Sequence, residues 1–150
     1  MTIHARLAEL AITLPEPAAP VASYQPVVVS GTLAYVSGQL PFLNGELVTG
    51  RLGEELDLDR GVAAARACGL MILAQLDKAG LLDRVERVVK LGAFISSAAN
   101  FIDQPKVANG ASDLMAQVFG GAGRHARSAV GVPVLPLGAA VEVDAIIQLA

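Results

Sequence analysis

From Pro17 to Gly45 the chain carries no charged residue. A run of this kind either spans a membrane or folds into strands that bury their side chains. Pro20, Pro26, Pro41, Gly31 and Gly38 interrupt it, with Ser30, Ser37, Gln25 and Gln39 between them. No unbroken apolar helix of about 20 residues can be drawn through such a pattern, so the run is read as short strands and turns, with no membrane partner. Val27–Ser30 and Leu33–Ser37 flank Gly31-Thr32 and form a hairpin. Asn44-Gly45 marks another turn, followed by a short third strand over Leu47–Gly50.

The remaining periodicities predict two long helices and three further strands. Ile3, Leu7, Leu10 and Ile12 suit a short amphipathic helix that Pro15 ends, and Pro15–Pro20 is a stiff Pro/Ala connector, so residues 1–20 form an N-terminal extension. Asp59 is the expected cap of a long helix bearing Val62, Ala65, Gly69, Ile72 and Leu76 on one face, with Lys78 in its last turn and Gly80 beyond. Val85–Ile95 reads as a long strand. Pro105 opens a second long helix through Val107, Ala111, Leu114 and Val118, which Gly120 stops. Arg127–Val134 and Ala140–Leu149 are the last strands, expected to pair as a hairpin through Leu135–Gly138. This order defines an α+β sandwich occupying residues 1–150 as a single domain.

Composition narrows the function. The 150 residues are 53% hydrophobic and 17% charged, with a net charge of −3. That is enough apolar material for a core without staples, and so little charge for the size that part of the surface is expected to be covered by copies of the same chain. Cys68 is the only cysteine, which fits a reducing compartment. Residues 1–10 lack the apolar core of a signal peptide, and a cytoplasmic location is expected. A pI near 5.3 and the absence of Trp argue against a nucleic-acid partner.

Familiar catalytic motifs fail. Gly121–Ala126 matches G-x-G-x-x-A but follows a helix and precedes a strand, the reverse of the dinucleotide-binding context. His4 and His125 are the only histidines and stand in no recognised triad spacing. Cys68 reads as a small buried hydrophobe, and no ligand cluster suggests a metal.

Four ordered segments carry more information: Ser37-Gly38-Gln39-Leu40-Pro41, Arg127-Ser128-Ala129-Val130, Leu135-Pro136 and Val141-Glu142-Val143-Asp144-Ala145. Tyr24 stands thirteen residues before the first, Asn109 lies in the second helix, and Glu142 follows Arg127 by fifteen residues. From about Tyr24 to the C-terminus this pattern resembles the RidA/YjgF family. The resemblance implies a chorismate-mutase-like α+β fold with two long helices on a mixed sheet. It also implies a homotrimer with a central barrel and ligand clefts between subunits. The implied activity is hydrolysis of reactive 2-imino and 2-enamino acids, released by pyridoxal-phosphate enzymes, to 2-keto acids and ammonia, without a cofactor of its own. Some members of the family are instead labelled endoribonuclease L-PSP or translation inhibitor, a role that the acidic pI and lack of a basic-aromatic patch disfavour here.

Carried onto this chain, the resemblance assigns roles residue by residue. Arg127 grips the substrate carboxylate, a task suited to a permanently charged guanidinium fork. Glu142 directs or deprotonates water if its ionisation is tuned by partial desolvation. Ser37 and Gly38 let the backbone approach the ligand, Tyr24 closes the cleft, Asn109 supplies an amide and Ala129 a carbonyl. His125, two residues before Arg127, is either a site residue or a plain loop residue. The positions two and four after the Arg, commonly Cys and Glu in the imine-hydrolase branch, are Ala129 and Gly131. A carboxylate-binding protein without turnover would need Arg127 but not Glu142. In a flat terminal hairpin Arg127 and Glu142 would stand roughly 16 Å apart, so a bulge or an intersubunit cleft is required to bring them together.

Overall fold

A computed structural model of the chain describes residues 1–20 and 22–150. The elements run α1 (Ile3–Glu9), β1 (Val27–Ser30), β2 (Leu33–Gln39), β3 (Phe42–Leu43), β4 (Glu46–Leu47), α2 (Leu58–Lys78), β5 (Val85–Ser96), α3 (Gln104–Phe119), β6 (Ala126–Val132) and β7 (Val141–Leu149). The uncharged run becomes β1, β2 and β3, with the Gly31 and Asn44-Gly45 turns at positive φ. The third strand shrinks to Glu46–Leu47, and Thr49 makes only an isolated bridge to Ala139.

Asp57, not Asp59, caps α2: its carboxylate accepts the Arg60 N–H at 2.8 Å, and Asp59 falls inside the first turn. The helix ends with Gly80 at φ +72°, a left-handed position that glycine adopts without steric cost. Helices α2 and α3 cross closely because Gly110 brings α3 against the Val62 carbonyl of α2, where any β-carbon would collide. Leu114, Met115, Ile72 and Leu76 are sealed between the helices and the sheet. Truncating one of the large aliphatic residues to Ala would cost about 2–5 kcal/mol.

The sheet order is β1-β2-β7-β5-β6. This corrects the expected terminal hairpin, because β6 and β7 are not neighbours. β6 pairs parallel with β5 after the α3 crossover, while β7 inserts antiparallel between β2 and β5. Val141, Val143, Ala145, Ile147 and Leu149 of β7 all point into the helix layer, and so apolar a face is best buried at the centre of the sheet. Both helices cover one face. The other face presents Val28, Tyr35 and Val130, which are 44–51% exposed, beside half-buried Phe94 and Ile146. Among the described residues, no helix is long and apolar enough to cross a membrane.

Candidate functional site

The polar residues singled out from the sequence fall into two groups on opposite faces of the sheet. The first joins α3 to the edge strand β6. Arg127 pairs with the buried Leu91 of β5, so its side chain rises on the helix side. There its Nη1 donates to Asn109 Oδ1 at 2.9 Å and to Ser112 Oγ at 3.1 Å. Asn109 and Ser112 stand three residues apart on α3 and therefore share a face. Ser112 Oγ lies 2.8 Å from His125 Nε2, and His125 Nδ1 lies 2.6 Å from the Gly123 carbonyl. A carbonyl can only accept, so Nδ1 carries the proton, and in the neutral ring Nε2 accepts the Ser112 hydroxyl proton. Arg127, Ser112 and His125 line an open cavity with Asp113 and Arg124. Ala129, two residues along β6, also faces inward and packs against the core.

Ser112 is a site residue that the resemblance does not assign. The visible signal was its i+3 spacing from Asn109, but only the turn before β6 brings His125 onto it.

The second group lies on β2 and β7. Between Val36 and Gln39 the register with β7 slips, because Ser37-Gly38 form a bulge opposite Asp144. Ser37 Oγ donates to the Gln25 carbonyl at 2.8 Å, which fastens the bulge to the preceding loop. Gly38 faces away from the helices, and the Glu142 carboxylate lies over it: a β-carbon at Gly38 would stand 2.6 Å from Glu142 Oε2. Tyr24, 43% exposed, shares a small cavity with Gly38, Gln39 and Gln75. Beneath it, buried Gln39 and Gln75 satisfy each other and the backbone, with Gln75 Nε2 at 2.8 Å from the Ala18 carbonyl and 3.2 Å from Gln39 Oε1.

Partial burial pushes the Glu142 carboxyl above the ordinary carboxylate range, and the neighbouring charge of Asp144 adds to this. Asp144 is raised by burial as well, against the opposing effects of a Gly92 backbone hydrogen bond and Lys90. Cys68 is fully buried 3.6 Å from the Val141 carbonyl, and burial holds its thiol protonated and inert. Among the described residues no group of three or more His, Cys, Asp or Glu could hold a metal ion.

One chain therefore unites Arg127, Asn109 and His125, and separately unites Ser37, Gly38, Glu142 and the nearby Tyr24. It does not bring Arg127 to Glu142. Strand β5 runs between their strands, Arg127 stands opposite Leu91 and Glu142 opposite Phe94, and their side chains leave the sheet on different faces. The Gly131 departure has a local counterpart. A β-carbon there would lie 2.7 Å from Gln104 Nε2, so the Gln104 amide occupies the space that a side chain at 131 would need.

Two long helices on one face of a five-stranded mixed sheet make a two-layer α+β sandwich of the chorismate-mutase-like class. Residues 4–149 match the family model described as "YjgF/chorismate_mutase-like, putative endoribonuclease". The chain belongs to this RidA/YjgF family. It is 53% identical over 150 residues to Protein TCP17 of Trypanosoma cruzi, covering 98% of this chain and 94% of that one. A solved structure from Shewanella oneidensis, described as "a putative endoribonuclease", is 36% identical, with a TM-score of 0.95 over 99% of this chain and 100% of that one. The structure of E. coli TdcF with bound serine is 25% identical, with a TM-score of 0.65 over 90% of this chain and 94% of that one.

Proposed function

We propose that the protein hydrolyses reactive 2-imino and 2-enamino acids to 2-keto acids and ammonia, in clefts formed between the subunits of a head-to-tail homotrimer. The observation that carries this reading is the division of the candidate residues into two half-sites. The Arg127 half lies at the β6 edge of the sheet, and the Glu142 half lies toward the β1–β2 edge. Head-to-tail association presents one edge of a subunit to the opposite edge of the next, and a rotation that closes makes a ring. The uncovered apolar face bearing Val28, Tyr35 and Val130 gives such a ring something to bury.

In that cleft Arg127 holds the substrate carboxylate, and the bulge at Ser37-Gly38 brings backbone close to the C=N unit. Glu142, with its carboxyl raised by desolvation, takes a proton from the water that attacks the imine carbon. Glu142 passes that proton to the imine nitrogen to complete the tetrahedral carbinolamine, whose hydroxyl proton then moves through Glu142 to the departing amine, so that ammonia leaves as the carbonyl of the keto acid forms. Because such imines hydrolyse unaided, orientation supplies most of the acceleration. The serine bound to TdcF supports a ligand that carries a carboxylate. The endoribonuclease label of relatives gains no support from a chain of net charge −3.

The test is 2-keto acid release from 2-aminoacrylate or 2-aminocrotonate generated in situ by a serine/threonine dehydratase. Acceleration over the spontaneous rate, lost in Arg127→Ala and Glu142→Gln, is expected. A second reading, carboxylate binding without turnover, is favoured by the completeness of the Arg127 group within one chain. It is distinguished by 2-oxobutanoate binding with no acceleration.

A further inference from the structure

We propose that Ser112 and His125 are positioning residues that aim Arg127, and so set the selectivity of the cleft for carboxylates. This rests on the reading of Arg127 as the carboxylate grip and adds the device that orients it. The chain of bonds has one direction. The Gly123 carbonyl fixes the proton of His125 on Nδ1, and Nε2 then takes the Ser112 hydroxyl proton, leaving the Ser112 lone pairs for Arg127. Asn109 Oδ1 accepts from the same Nη1.

A guanidinium Nη carries two hydrogens, so these two acceptors saturate Nη1. Among the described residues, Nε and Nη2 of Arg127 have no hydrogen-bond partner, and Arg127 makes no ion pair. The three remaining N–H groups include the parallel Nε–H and Nη2–H pair, the edge that grips a carboxylate by two bonds. An arginine free to rotate would present any edge and lose more freedom on binding. One already held at Nη1 presents that edge before the ligand arrives. His125 thus acts through Ser112, without touching the ligand itself.

The test combines a ligand-free and a ligand-bound reading on the full chain. In nitrogen-15 NMR, wild type is expected to show separate Nη1 and Nη2 resonances for Arg127. They should merge in Ser112→Ala and His125→Phe and separate again in Ser112→Thr, which keeps a hydroxyl. By calorimetry, Ser112→Ala should weaken 2-oxobutanoate binding about tenfold while changing little for 2-oxobutanamide, which lacks the charge. Thermal melting checks that each variant folds, and Ser112→Thr should recover the affinity. Resonances that stay separate in both Ser112→Ala and His125→Phe would overturn the proposal, as would an equal loss for the acid and the amide. Failure of wild type to bind 2-oxobutanoate would count against the carboxylate reading, and the resonances alone would then decide the positioning.

Discussion

Gly38 and Glu142 are in such close apposition that the missing β-carbon of the one is what admits the carboxylate of the other. The contact exists because the Ser37-Gly38 bulge turns the β2 backbone outward beside β7. Glu142 is thereby held over the sheet face that carries the exposed apolar side chains, half shielded from water.

Gly38→Ala should therefore displace Glu142 and leave Arg127 untouched. Keto acid production is expected to fall by roughly a hundredfold, the usual worth of a misplaced acid-base group, with 2-oxobutanoate binding retained. Steady-state rates alongside calorimetry separate the two effects. A parallel loss of rate and binding would mean that the added methyl blocks the ligand and that the effect does not come from displaced Glu142.

Arg127→Lys should retain charge but not the two-bond grip, and it also forfeits the bonds to Asn109 and Ser112. Affinity for 2-oxobutanoate is expected to drop about 10–100-fold, measured by calorimetry.

Much of this molecule is legible in its sequence. Apolar spacing reveals α2 and α3, and the Gly31 and Asn44-Gly45 turns lie where their residue types require. Strand pairing is not legible, because the alternation along Val141–Leu149 reports that one face is buried and says nothing about which strands lie beside it. The β6–β7 hairpin failed for that reason: β7 gains two neighbours by inserting between β2 and β5, which a hairpin at the sheet edge would deny it. Apolar spacing places the α2 cap at Asp59, and only the Arg60 N–H, which Asp57 accepts, moves it two residues earlier. The Ser112–His125 bond crosses a helix end and a turn, so no periodicity announces it. The resemblance points to Arg127 and Glu142, and their separation onto two faces follows from topology alone.

The outer face should give stability a measurable pH dependence. Glu142 and Asp144 have carboxyl groups raised above their ordinary range, with Lys90 the cation opposing the shift at Asp144. A raised acid binds more protons in the native than in the unfolded state, so stability is greatest below the ordinary carboxylate pKa. It declines as pH rises through the folded value. Urea denaturation from about pH 4 to 7 should show that decline, and Glu142→Gln with Asp144→Asn should flatten it. A slope unchanged in the double variant would assign it to other groups.

At the N-terminus His4 adds a decline of the same sign, and Asp83 one of the opposite sign. His4 bridges Asp83 and Asp77, each ring nitrogen 2.6 Å from a carboxylate oxygen, and the Ile3 N–H donates to Asp83 at 2.7 Å. The hydrogen bond with Asp83, followed by that with Asp77, raises the imidazole pKa, and the bond to His4 lowers that of Asp83. The histidine's contribution is complete below its unfolded pKa and is lost as pH rises through its folded value. That of Asp83 is lost as pH falls through its depressed value. Amide protection factors across α1, corrected for the intrinsic pH dependence of exchange, should thus be highest in weak acid and fall as pH rises through the folded value of His4, and His4→Asn should remove that fall.

The intersubunit cleft is tested most directly by mixing two inactive variants, Arg127→Ala and Glu142→Gln, after reversible dissociation. Random head-to-tail rings of the two chains would pair an intact Arg127 with an intact Glu142 in about a quarter of the clefts, and activity should return to about that fraction of wild type. No recovery in verified mixed oligomers would contradict a site shared between subunits.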